Sequence, residues 1–79
     1  MEKSNRAKLL DIERRILAAD ERLVAAQNAF EEAKRNGVST PEMESTIQLT
    51  EETLTAMRTY RDLLLNAIRL AAAEIEADD

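Results

Sequence analysis

Apolar residues recur along the first half of the chain in alternating steps of three and four. They are Leu9, Ile12, Ile16, Ala19, Leu23, Ala26, Phe30 and Ala33, eight seam positions in a row with no charged exception. This spacing returns to one face of an α-helix every turn or two, and it predicts a helix over residues 4–36. Ser4 or Asn5 supplies the N-cap. Asp11/Arg15 and Glu31/Arg35, acid first and four apart, add i,i+4 support. The second half repeats the pattern through Met43, Ile47, Thr50, Leu54, Met57, Arg61, Leu64, Ile68, Ala71 and Ile75, predicting a helix over 40–77. At 1.5 Å per residue the two helices span roughly 48 and 55 Å. Glu74, Glu76, Asp78 and Asp79 place negative charge at the negative end of the second helix, so fraying is expected there.

Between the helices lies Arg35-Asn36-Gly37-Val38-Ser39-Thr40-Pro41-Glu42, which holds the single glycine and the single proline. Gly37 suits the left-handed residue that closes a helix. Ser39 or Thr40 can cap the next helix, and Pro41 fits its first turn, where the missing N–H would be unpaired anyway. A stop signal followed directly by a start signal is a short turn, and a short turn makes the helices antiparallel neighbours. The expected architecture is all-α: one antiparallel helical hairpin over 1–79, packed like a coiled coil. The register pairs residues whose numbers sum to about 77, setting Phe30 on Ile47, Leu23 on Leu54, Ala19 on Met57, Ile12 on Leu64 and Leu9 on Ile68. Arg61 falls opposite Ile16. Its stem either lies along the seam with the head in water, or its head pairs with a carboxylate on a partner.

The apolar surface exceeds what one seam needs. On the first helix Leu10, Leu17 and Val24 repeat every seven residues, about 100° round from the seam, with Glu13, Asp20 and Gln27 in between. On the second, Leu49, Ala56, Leu63 and Leu70 form another such row, bridged to the seam by Tyr60 and Ala67. From Leu63 to Ile75 the helix is apolar nearly all round, as helices buried on more than one side are. The rows are expected to meet at the open end of the hairpin, with Leu10 and Leu17 near Leu63 and Leu70. A patch of that kind marks an interaction site. Leu10, Leu17, Val24, Leu49, Tyr60, Leu63 and Leu70 are therefore the candidate partner-binding residues, Tyr60 being either a contact anchor or a seam-edge residue. Burial against a different protein and burial in a homodimeric four-helix bundle both satisfy the pattern, the second suiting a regulator or adaptor of phage or plasmid type.

Composition narrows the chemistry. With no His and no Cys there is no imidazole or thiolate to act as nucleophile, base or metal ligand, and no disulfide. No glycine-rich phosphate loop is present. The adjacent carboxylates Glu31-Glu32 and Glu51-Glu52 point about 100° apart on a helix and do not converge. No enzymatic activity and no cofactor are expected. The net charge of −5 is uneven: residues 1–38 carry eight basic and seven acidic side chains, residues 39–79 three and nine. The acidic second half argues against nucleic acid. No apolar run approaches the ~20 residues of a membrane span, and Met1–Arg6 lacks the apolar core of a signal peptide, so a cytoplasmic protein is expected.

Three features together carry a family resemblance. They are the Ala-rich, charged end of the first helix (Ala25-Ala26-Gln27-Asn28-Ala29-Phe30-Glu31-Glu32-Ala33), the Gly37…Pro41-Glu42 turn, and a Gln/Glu-rich start of the second helix leading to an aliphatic end. From about Leu9 to Ile68 the chain resembles the small co-chaperones of bacterial type III secretion, the YscE/PscE/SsaE-like family. The resemblance implies a helical hairpin that binds a helical-repeat chaperone and, with it, keeps the needle subunit unpolymerised in the cytoplasm. The surplus leucine rows would then be the docking surface.

Overall fold

The computed structural model describes residues 4–77, with side chains through Glu74. It is an antiparallel pair of helices, α1 (Asn5–Arg35) and α2 (Pro41–Ala77), packed against each other along their length. No strand occurs among the described residues. The expected boundaries hold to within a residue. Ser4 is the N-cap of α1, its hydroxyl accepting from the Ala7 N–H at 3.1 Å.

The turn is built as its residue types require. Gly37 takes φ 71°, the left-handed conformation that costs a side-chain-bearing residue about 1–2 kcal/mol. Its N–H donates to the Lys34 carbonyl at 3.1 Å, and the Val38 N–H donates to the Ala33 carbonyl at 2.9 Å. These two bonds form a Schellman closure that satisfies carbonyls left open at the helix end. Three residues on, Thr40 caps α2. Both its carbonyl (3.1 Å) and its hydroxyl (3.4 Å) accept from the Met43 N–H, while Pro41 occupies the first helical position. Glu42 and Glu44 then place negative charge at the positive end of α2.

The seam follows the predicted spacing. Ile12, Ile16, Ala19, Leu54 and Leu64 form the buried core, with Leu9, Leu23 and Met57 packed against it. Leu54 is the most enclosed, at 1% exposure. Asp20 and Arg58, whose numbers sum to 78, are joined across the helices at 3.1 Å, in agreement with the expected register. Thr50 is the uncharged polar residue of the seam, and its hydroxyl donates to the Thr46 carbonyl at 2.8 Å, so it brings no unpaired donor inward. Arg61 stays half-buried. Its guanidinium leaves the seam and meets the neighbouring Asp62 carboxylate, Nε and Nη2 each 3.3 Å from Oδ1. The stem covers the seam and the charge stays wet.

One seam assignment and one burial expectation need correction. Ala71 is exposed. In this register it faces the first turn of α1, where it lines an open cleft with Ser4, Asn5 and Arg6 from α1's start and Ile68 and Ala72 from its own helix. The stretch after Leu63 is not enclosed on several sides either, because only one helix packs against it: Leu63 and Leu70 stand in solvent. The side chain of Ile75, and the terminal carboxylates Glu76, Asp78 and Asp79, lie outside the described side chains.

Of the two expected i,i+4 ion pairs, Asp11–Arg15 forms at 3.4 Å. Glu31 pairs instead with Lys34, three residues on, at 2.8 Å. Lys34 also lies 4.7 Å above the Phe30 ring, and this cation–π contact holds its ammonium close to Glu31. The Lys34 hydrogen bond and charge hold the Glu31 carboxyl below its usual value.

Two substitutions test this account. Leu54→Ala should cost about 2–5 kcal/mol in denaturant unfolding monitored by circular dichroism. Gly37→Ala meets no steric neighbour, so its cost is conformational alone, about 1–2 kcal/mol. An unchanged midpoint in the second variant would show that Gly37 is not held left-handed.

Candidate protein-binding surfaces

The seven candidate residues are all exposed in the folded hairpin: Leu10, Leu17, Val24, Leu49, Tyr60, Leu63 and Leu70. Leu49 and Leu63, at 63%, and Leu17, at 62%, are the most exposed of them. Each large aliphatic side chain taken from water contributes ~1.5–3 kcal/mol before ordering costs, so a partner covering one row gains substantially.

The structure separates these residues into two surfaces. Asp20 stands between the seam and the Leu17/Val24 row of α1, and it reaches Arg58 of α2. The Asp20–Arg58 pair therefore marks the side of the hairpin on which Leu10, Leu17 and Val24 lie. Tyr60, two residues beyond Arg58, points some 200° round the helix. It lines a cleft with Lys8, Asp11, Ile12 and Arg15, on the opposite flank of α1. Leu63 and Leu70 lie beyond Tyr60 on that second side, as does Leu49 by the same seven-residue repeat. Leu10 and Leu17 thus do not join Leu63 and Leu70 in one patch, as the sequence pattern led one to expect. In an antiparallel pair the flanks of equal rotational sense meet, and the α1 row is turned one way from the seam while the α2 row is turned the other.

The Arg58 side gains a residue the sequence reading passed over. Leu65 sits seven positions after Arg58, hence on the same flank, and is 37% exposed. It faces the Leu10–Leu17 interval of α1 across the seam edge. The signal was present in the heptad phase of α2, but it was hidden inside the run Leu63-Leu64-Leu65. Val38, in the turn, is a further exposed aliphatic residue.

On the Tyr60 side the apolar positions of α2 form a second complete seam. Leu49, Thr53, Ala56, Tyr60, Leu63, Ala67 and Leu70 follow one another in alternating steps of four and three. A helix with one partner uses one such seam; this one carries two.

Both sides carry both signs of charge. The flank of α1 beside Tyr60 carries Lys8, Arg15 and Arg22 at seven-residue intervals with Asp11 next to them, and the flank beside Arg58 carries Arg6, Glu13 and Asp20. The adjoining ion pairs, Arg15–Asp11 and Arg58–Asp20, are both solvent-exposed, a class that contributes about 0–1 kcal/mol.

Among the described residues, no group of three or more His, Cys, Asp or Glu side chains is placed to hold a metal ion. A cleft of about 420 Å³, open to solvent, lies near the turn and is lined by Phe30, Ile47, Gln27 and Gln48 with Glu31, Glu44 and Glu51. No helix among the described residues is long and apolar enough to cross a membrane. No family model matches the chain, and no curated protein or solved structure does.

Because the leucine rows contribute nothing to the hairpin's own core, Leu17→Asp and Leu63→Asp should each leave the unfolding free energy of the monomer within about 0.5 kcal/mol of wild type. Leu54→Asp, by contrast, should abolish the helical signal. A large loss of stability in either row variant would show that the row is structural.

Proposed function

We propose that this chain is a non-enzymatic protein-binding module, a rigid helical hairpin that presents leucine rows to helices of other proteins. One observation carries the reading: the internal seam is filled by Leu54 and its neighbours, while six large aliphatic residues at heptad spacing remain outside it and exposed. Heptad-spaced leucines on straight helices suit helical occupants, which dock by side-chain interdigitation.

Within this reading, the resemblance to type III secretion co-chaperones supports a specific role. The partner would be a helical-repeat chaperone, and the pair would hold a needle subunit unpolymerised. The physical logic is consistent with the hairpin: a subunit that polymerises through an apolar helical face is kept monomeric when that face is covered.

Purification of the tagged chain from its native host, followed by mass spectrometry, tests both levels. The general reading expects one stoichiometric protein partner, lost in Leu17→Asp or Leu63→Asp while far-ultraviolet helicity persists. Retention of the partner by both variants would refute the assignment of the rows. The specific role expects a helical-repeat chaperone and a needle subunit in the same complex, and a partner of any other kind would dismiss it.

A further inference from the structure

We draw no further inference here: the strongest candidate, the open cleft near the turn in which Glu31, Glu44 and Glu51 rim Phe30 and Ile47, is an acidic cluster whose Glu31 already has Lys34 as its cation, and nothing in the structure points to a ligand for it.

Discussion

The structure depends on one seam. Ile12, Ile16, Ala19, Leu54 and Leu64 form the buried cluster between the two helices, and Leu54 lies deepest among them. A chain of this length has little volume to enclose. Two helices touching along a line cover only a narrow stripe of each. Everything outside that stripe is surface, whatever its residue type, and this is why an apolar-rich α2 ends with leucines in solvent.

The ends of the seam are set by local backbone chemistry. The left-handed Gly37 and the two hydrogen bonds around it stop α1, and Thr40 with Pro41 starts α2 within a few residues. So short a connection leaves the helices no option but to run back along each other. The turn thereby sets the register, and the register decides which flanks meet. The Asp20–Arg58 pair contributes little energy as an exposed bridge, yet it identifies one flank, as the Tyr60 cleft with Lys8 and Arg15 identifies the other.

Polar groups near the seam are handled so that they do not disturb it. The Thr50 hydroxyl returns to its own helix, and the Arg61 head turns out to Asp62. No buried side-chain nitrogen or oxygen among the described residues lacks a partner. A hairpin with a satisfied interior and unspent leucine rows on two sides is physically suited to be one layer of a larger helical assembly, whether the neighbouring layer is a different protein or another copy.

The sequence by itself determined the helices, their caps, the turn and the seam, because each is encoded by near neighbours: periodicity within a helix, Ser4 and Thr40 at their starts, Gly37 at a stop. It also determined which residues fall outside the seam, since Leu10, Leu17, Val24, Leu49, Leu63 and Leu70 are out of phase with it. What it left open was whether those residues make one surface or two. That is a question of handedness across the pair, in which a rotation one way on α1 meets the same rotation on an antiparallel α2. Only the packed helices decided it, placing Leu65 with Leu17 and parting Leu17 from Leu63. The exposure of Ala71 was likewise a tertiary matter, because it turns on what the first turn of α1 holds opposite that position.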